Sequence, residues 1–521
     1  MPTSASPAWL RGAAIYQVYL RSFADGNGDG VGDLGGLRAR LPYLADLGVN
    51  AIWVNPWYPS PMADGGYDVA DYRAIEPVFG TLAEAEKFIE EAHGLGIRII
   101  IDVVPNHGSD QQAWFQEALA AGPGSTARER FWFRPGTDDE PPNDWRSIFG
   151  GPAWTRVRDG EWYLHLFAPQ QPDFDWRNPE VIEEFHDVLR FWFDRGVDGI
   201  RIDSAALLIK DPDAEPDGRD PFTDRDGVHE IYRGWRRIAD EYADRALIGE
   251  LWLPDQERFA RYLRPDEMHT AFNFDFLGCP WDRDALRRVI DMTLATHIPL
   301  GAPPSWVLSN HDATRPVTRF GRADTAFVNP DPLHGTPTDP ALGARRARAA
   351  ALLAMALPGV VYIYQGEELG LPEVEEIPDH LRQDPMWARL GPAIRGRDGC
   401  RVPLPWSGDG PSFGFGAAEP WLPQPADWSD RTVEAQTGDS GSMLTLYRAA
   451  LRIRGAELGD GTLTWRPAGD DVLAFGRESG LTCVVNVGRE SVRLPDHERV
   501  LLASGPLDGG RLPADTTAWL R

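Results

Sequence analysis

Three carboxylates each close a short apolar run in this 521-residue chain: Asp203 in GIRID, Glu250 in LIGEL and Asp312 in SNHD. Such a run reads as a buried strand, and a single acid at its end is more often a structural ion pair or a capped strand end than chemistry. Three at separate strand ends shift that balance. Arg201 stands two residues before Asp203. Side chains two apart on a strand share a face, so the guanidinium is expected beside the carboxylate, favouring its ionised form. Glu250 lies among Leu247, Ile248, Leu251 and Trp252, surroundings that disfavour charge and raise a carboxyl pKa. An ionised carboxylate facing a protonated one about 5–5.5 Å away is what double displacement at a glycosidic carbon requires.

A second pattern offers oxygens at alternate positions. In D-x-N-x-D-G-x-G-D, Asp25, Asn27, Asp29, the Val31 carbonyl and Asp33 match the first half of a calcium loop, with Gly30 at the sixth position for the sharp turn. The twelfth position is Gly36 instead of a bidentate Glu, and no EF-type helix precedes the loop. The expectation is a structural Ca2+ or Mg2+ away from catalysis. The alternative is an Asp/Gly-rich turn that binds nothing.

Positioning the acids requires a scaffold. Eight short runs with helical patterns between them, Ala14–Tyr19, Ala51–Asn55, Ile97–Val104, Gly199–Asp203, Ala246–Glu250, Phe272–Phe274, Trp306–Ser309 and Val360–Tyr364, predict a parallel (β/α)8 TIM barrel. In such a barrel the C-terminal strand ends meet at one mouth. The predicted barrel occupies 1–104 and 173–454. A Trp-, Pro- and Gly-rich inserted subdomain takes 105–172 after the third strand, and an irregular lid segment, about 367–436, carries GRDGCRVPLPW. A loop of that length is uncommon unless functional. From 455 to 521 the pattern becomes short alternating strands (Thr462–Arg466, Val472–Arg477, Thr482–Val487, Arg499–Ala503), which predicts a C-terminal antiparallel β-sandwich.

Composition narrows the partners. The formal net charge of −27 disfavours nucleic acid and anionic lipid, so a small neutral substrate is expected. The 20 Trp suit stacking on sugar rings, although Trp also fills cores. Cys279, Cys400 and Cys483 are odd in number and lack metal-ligand spacing, which reads as buried thiols in a reducing compartment. The N-terminal stretch MPTSASPAWLRGAAIYQVYLRSF has no secretory pattern and no run approaches the length of a membrane span, so the expectation is a cytoplasmic protein. Oligomeric state stays open.

DVVPNH at 102–107, GIRID at 199–203, GE at 249–250 and SNHD at 309–312 together resemble the four conserved regions of the α-amylase family of glycoside hydrolases, glycoside hydrolase family 13. QPDFDW at 171–176 resembles the fifth region as found in the oligo-1,6-glucosidase and α-glucosidase branch. The resemblance implies Asp203 as nucleophile, Glu250 as acid/base and Asp312 as transition-state stabiliser. It also implies that Tyr67 of GYDV stacks on a bound glucose, that Asp68 grips its distal hydroxyls and pairs with Arg315, and that His107 and His311 bind hydroxyls near the reacting carbon. Phe149, Phe167, Gln171, Arg397 and Arg401 would line the entrance. The same relatives carry a lone divalent ion at the Asp25–Asp33 loop.

What the resemblance implies is a retaining, exo-acting α-glucosidase that removes the non-reducing terminal glucose of short, maltose-like α-glucosides, with transglucosylation at high substrate. Ser204, after the nucleophile, favours α-1,4 bonds over the α-1,6 bonds of oligo-1,6-glucosidases, though one side chain is worth only about 1–3 kcal/mol of discrimination. A trehalose synthase is the rival within the fold. A trehalose-6-phosphate hydrolase would need a basic cluster that the sequence does not offer. A non-catalytic transporter heavy chain is disfavoured by the three retained acids and the lack of a membrane span.

Overall fold

The computed structural model describes residues 6–521 except 138, 212–218, 392–393, 409 and 460, so the first five residues of the N-terminal stretch read above lie outside it. Eight parallel strands build the centre: β1 (Ala14–Val18), β2 (Ala51–Val54), β3 (Arg98–Val103), β4 (Gly199–Ile202), β5 (Ala246–Gly249), β6 (Thr270–Ala271), β7 (Ser305–Val307) and β8 (Val360–Tyr364). Their hydrogen-bonded order is β7-β8-β1-β2-β3-β4-β5-β6, and each strand follows its neighbour in register, Ile52 beside Ile99 and Ile200 beside Leu247, for example. The barrel is closed between β6 and β7 by side chains instead of a ladder. Ser305 Oγ donates to the Ala271 carbonyl at 2.6 Å, Thr270 Oγ1 to the Pro303 carbonyl at 2.7 Å and Asn273 Nδ2 to the Ser305 carbonyl at 3.1 Å. Pro303 and Pro304, which lead into β7, have no N–H with which to extend a ladder.

The two-residue period of the strands sorts their side chains. Ile15, Ala51, Trp53, Ile100, Ala246, Ile248, Val307, Val360 and Tyr362 fill the barrel interior, while Tyr16, Ile52, Ile99, Ile101, Ile200 and Leu247 belong to the layer between strands and helices. Continuing the inward set toward the C-terminal ends gives Gln17, Asn55, Asp102, Arg201, Asp203 and Glu250. Polar residues thus form the top layer of an otherwise apolar barrel.

Two strand expectations shift. The sixth strand is Thr270–Ala271 and not Phe272–Phe274, because the Asn273 side chain accepts from the Phe276 amide and starts a helix at Phe274. At the C-terminal end the four expected runs pair as Leu463–Trp465, Val472–Arg477, Thr482–Asn486 and Val500–Ala503, but the sheet has a fifth strand, Thr516–Leu520, between the last two. A two-stranded ribbon, Val492–Arg493 with Arg511–Leu512, packs over it through Val472, Ala474, Val484, Leu494, Leu512, Ala518 and Leu520. The opposite face, with Phe475, Val485 and Trp519, joins the main core against the helix Pro340–Ala356. Trp519 Nε1 donates to the Leu352 carbonyl at 3.1 Å and Arg477 Nη1 to the Ala356 carbonyl at 2.7 Å.

Between β3 and β4 lies a three-stranded antiparallel sheet, Phe133–Pro135, Glu161–Leu164 and Trp154–Arg156. Its return path is fixed at the barrel mouth by bridges between His107 and Asp173 and between Phe131 and Phe174. Lys210, buried, pairs with Asp173 at 3.0 Å and donates to Asn106 at 2.6 Å. Residues after β8 reach over the same mouth, where Arg389 Nε donates to the Gly150 carbonyl at 2.9 Å. Among the described residues no helix is long and apolar enough to cross a membrane.

Candidate active site

One guanidinium organises the centre. Arg201 Nη1 lies 2.7 Å from Asp203 Oδ1 and 2.7 Å from Asp102 Oδ1, and its Nη2 lies 2.6 Å from Glu250 Oε2. The pairing of Arg201 with Asp203 is the one expected from their spacing on a strand; the sharing with Asp102 and Glu250 is not visible in sequence. Ser204 follows in the left-handed region, φ 46°, and this aims its N–H at Glu250 Oε2, 3.0 Å away. A non-glycine residue held there marks strain that the surrounding packing supports.

Three carboxylates around one cation leave excess negative charge. Burial, opposed by Arg201 and reinforced by Asp203 and Asp312, raises Glu250 to about 7. Asp203 is also raised: burial outweighs the Arg201 guanidinium, so the arginine limits the rise and does not produce a net depression. Asp312 behaves oppositely. Burial works against its charge, yet His311, Arg397, Arg401 and Arg201 together hold it below the usual carboxylate range. Its Oδ1 accepts from Arg397 Nη1 at 3.0 Å and from Arg401 Nη2 at 2.7 Å.

These groups open on a cavity of about 420 Å3 lined on its inner part by Asp64, Tyr67, His107, Phe149, Phe167, Asp203, Glu250, Asp312 and Arg397. Leu207, Asp220, Phe222, Thr223 and Trp252 make its outer wall. Tyr67 stacks on His311, centroids 5.3 Å apart and planes 8° apart, and takes a hydrogen bond from Asn55 at 2.7 Å. Gln17 Nε2 is 2.8 Å from His311 Nδ1; because the amide donates, the imidazole proton is assigned to Nε2, which faces Asp312 at 3.4 Å. His107, lowered to about 3 chiefly by burial, is a neutral imidazole between Gln171 and the Tyr67 carbonyl.

Four placements differ from expectation. Asp68 is not in the cavity: its carboxylate is fully buried and accepts from Ser60 Oγ at 2.8 Å, Ala63 N at 2.9 Å and Asp64 N at 3.0 Å, so it shapes the loop. Asp64, four residues earlier, points into the cavity instead, bonded to Arg397 Nη2 at 2.7 Å and Gln171 Nε2 at 3.1 Å. Arg315 pairs with backbone, donating to the Gln365 carbonyl at 2.9 Å and the Cys400 carbonyl at 2.7 Å. Arg397 takes the part given to it, held by Asp64, by Asp312 and by Asp384 at 2.8 Å. Gln171 and Arg401 stand behind the wall, each bonded to a lining residue, and do not themselves line the entrance. Asp64 was legible only as one more acid in ADGGYDV, and Asp102 only as the first letter of DVVPNH.

The Asp25–Asp33 loop has the hard oxygen donors a Ca2+ or Mg2+ takes, but it turns them inward. Asp25 Oδ1 and Oδ2 accept from Gly28 N and Gly30 N, Asn27 Oδ1 from Asp29 N, Asp29 Oδ1 from Val31 N, and Asp33 from the amides of Gly26, Asn27 and Gly36. Among the described residues no group of three or more His, Cys, Asp or Glu is placed to hold a metal ion. In this arrangement the loop closes on its own amides and its side chains do not converge as ligands.

A (β/α)8 barrel whose mouth gathers an arginine-linked acid pair at a cavity lined by both acidic and aromatic side chains is the architecture of a carbohydrate-active enzyme. The chain belongs to the alpha-amylase catalytic-domain family, whose model matches residues 17–460. It is 37% identical to the probable alpha-glucosidase of Rhizobium meliloti (strain 1021) over 93% of this chain and 90% of that one. It is 39% identical to the trehalose-6-phosphate hydrolase of Escherichia coli (strain K12), over 88% and 85% respectively. The crystal structure of an alpha-glucosyl transfer enzyme superposes with a TM-score of 0.86 at 35% identity, covering 99% of this chain and 100% of that one.

Proposed function

We propose that the protein is a retaining, exo-acting α-glucosidase that hydrolyses the terminal non-reducing glucose of short neutral α-glucosides, α-1,4-linked ones preferred, with transfer to a second sugar at high substrate. The observation that carries this reading is the bridging of Asp203 and Glu250 by Arg201 at the base of the cavity. Two carboxyls sharing one guanidinium favour the close pair of double displacement over the roughly 6.5–9.5 Å, water-spaced pair of inversion. In the first step Glu250 gives its proton to the glycosidic oxygen as Asp203 bonds to the anomeric carbon and the leaving sugar departs as an alcohol. In the second Glu250 takes a proton from water, whose oxygen displaces Asp203 and restores the α configuration. Asp312, kept ionised and backed by His311, faces the positive charge that grows on the ring, and neutral His107 offers a hydrogen bond to a hydroxyl without adding charge.

Exo-action is supported by the inner end of the cavity, where Asp64 and Arg397 are joined at 2.7 Å. That pair presents a carboxylate and a guanidinium to distal hydroxyls and closes off further sugar units. A phosphorylated sugar is disfavoured: among the described lining residues the one Lys or Arg is Arg397, already held by three carboxylates. Cytoplasmic residence is supported by Cys279, Cys400 and Cys483, all buried and free.

Product analysis on maltose, isomaltose, sucrose, trehalose and trehalose 6-phosphate tests the reading, with the first-formed anomer followed by proton NMR. Expected are fastest release of glucose from maltose and α-glucose as initial product. β-Glucose appearing first, isomerisation of maltose to trehalose with little free glucose, or preference for the phosphorylated sugar would overturn it.

A divalent ion at Asp25, Asn27, Asp29, the Val31 carbonyl and Asp33 belongs to the reading as a structural addition, supported by the alternate spacing of the oxygen donors along the loop. Chelator followed by calcium, read by thermal melting, tests it: a rise in Tm on adding calcium is expected with kcat unchanged, and identical melts in both conditions would sink it.

A further inference from the structure

The polar layer at the top of the barrel is wired between two carboxylates. Asp312 Oδ2 faces His311 Nε2 at 3.4 Å, and His311 Nδ1 meets Gln17 Nε2 at 2.8 Å. The same Gln17 Nε2 donates to Asn55 Oδ1 at 2.9 Å, Asn55 Nδ2 to the Tyr67 hydroxyl at 2.7 Å, and that hydroxyl to Asp102 Oδ2 at 3.4 Å. Gln17, Asn55, Tyr67, Asp102 and His311 are buried, so each bond left unmade would be costly. Asp102 Oδ2 also takes Trp53 Nε1 at 2.8 Å, and its Oδ1 takes Arg201 Nη1 at 2.7 Å. Ionised carboxylates accept and do not donate, so a relay with one at each end cannot run head to tail. One group within it must donate in both directions. Gln17 Nε2, with two hydrogens, stands at that point.

Reversing the relay would turn Gln17 Oε1 toward Asn55 and His311. The Tyr67 hydroxyl would then donate to Asn55, and lone pairs of Tyr67 and of His311 Nε2 would face the carboxylates of Asp102 and Asp312. The two acids therefore set the direction. Rings and backbone are fixed already: His311 is held between Tyr67 and Tyr19, centroids 5.3 and 6.1 Å away and planes 8° and 19° off. Gln17 is placed by β1, in register with Trp53 of β2 and Tyr364 of β8. Deepening the retaining α-glucosidase reading, and resting on it for the effect on rate, we propose that Gln17 is a positioning residue: it polarises the relay outward to both carboxylates and so keeps the His311 proton on Nε2, directed at Asp312. Gln17 lies beneath the cavity wall and not in it, acting through His311 and Tyr67. With the proton on Nδ1 instead, His311 would present a lone pair to Asp312 and repel the carboxylate that faces the reacting ring.

The experiment is NMR of the substrate-free protein labelled with 15N-histidine, the His311 signals being those lost in His311→Asn. The wild type is expected to show a bare Nδ1 and a protonated Nε2. Gln17→Glu, nearly isosteric, puts an acceptor where the two-way donor was and is expected to place a proton on His311 Nδ1. Its kcat on maltose should fall about tenfold to hundredfold with KM within about threefold, the pattern of an interaction made in the transition state. Asn55→Asp brings the same charge one link away but leaves both Gln17 hydrogens in place, so His311 should stay as in the wild type. Gln17→Met removes the donor without adding an acceptor, and the bare Nδ1 signal should move to higher frequency. The proposal is overturned by a wild type protonated on Nδ1, by Gln17→Glu with Nδ1 still bare, by Asn55→Asp shifting His311 as much as Gln17→Glu does, or by an unmoved Nδ1 in Gln17→Met. Because the tautomer is read without substrate, a wild type protonated on Nε2 yet inactive on maltose would uphold the wiring and overturn the α-glucosidase reading.

Discussion

Around Arg201 three carboxylates compete for a single positive charge, and the proton the cluster retains decides which acid does which chemistry. Glu250, raised to about 7 by burial and by its acidic neighbours, is the group that keeps a proton as pH approaches about 7. Activity requires that proton, so kcat/KM on maltose is expected to fall as pH rises through about 7. Glu250→Gln should lose this alkaline limb and about 10²–10⁴-fold in kcat, the usual worth of a general acid. Asp203→Asn should lose at least as much, with circular dichroism unchanged in both variants; a Gln variant retaining a limb near 7 would move the acid role elsewhere. At the inner end, Asp64→Ala removes a charged partner for distal hydroxyls and frees Arg397. The expected cost is about 1.5–3 kcal/mol, read as a tenfold to hundredfold drop in kcat/KM, whereas Asp68→Asn should act on stability more than on KM. The reverse ranking would restore Asp68 to the pocket.

At the level of elements, the cavity is made by segments that must be fastened to the barrel mouth. Lys210, in the loop after β4, is the fastening between the strand-β3 loop at Asn106 and the return of the inserted sheet at Asp173, all of it buried. Removing one partner of a buried pair leaves an uncompensated charge, so Lys210→Met should destabilise by about 3–5 kcal/mol in urea unfolding. Adding Asp173→Asn should recover part of that loss, and failure of the double variant to recover any would show that Lys210 acts through something other than this pair. Residues after β8 contribute Asp384, Arg397 and Arg401 and reach Gly150 of the insertion, so two segments far apart in sequence share one rim.

Across the whole molecule, the C-terminal sheet presents one face to its ribbon and the other to the barrel. The Ala-rich helix Pro340–Ala356 allows that close approach: carbonyls at Ala349, Leu352 and Ala356 receive bonds from Thr517, Trp519 and Arg477. Trp519 is fully buried in this contact. Trp519→Ala is expected to cost about 3–5 kcal/mol by cavity formation, measured as a lowered Tm, with kcat/KM of the folded fraction unchanged because the sheet lies away from the mouth. A selective loss of activity without loss of Tm would give the sheet a role in catalysis that the structure does not suggest.

Sequence by itself determined the barrel, its eight strands to within a residue or two except at the sixth, and the alternation that places Asp203 and Glu250 inward, because hydrophobic periodicity and strand geometry are local properties of the chain. It also determined that Arg201 would stand beside Asp203. Only the tertiary structure decided that the same guanidinium reaches Glu250 and Asp102, that Asp64 and not Asp68 enters the cavity, and that Arg397 instead of Arg315 meets it. The strand Thr516–Leu520 likewise declares itself only by pairing with Thr482–Asn486. Loops carry no period, and which of several nearby acids turns inward depends on which backbone amides capture the others. That competition is settled by packing between segments hundreds of residues apart.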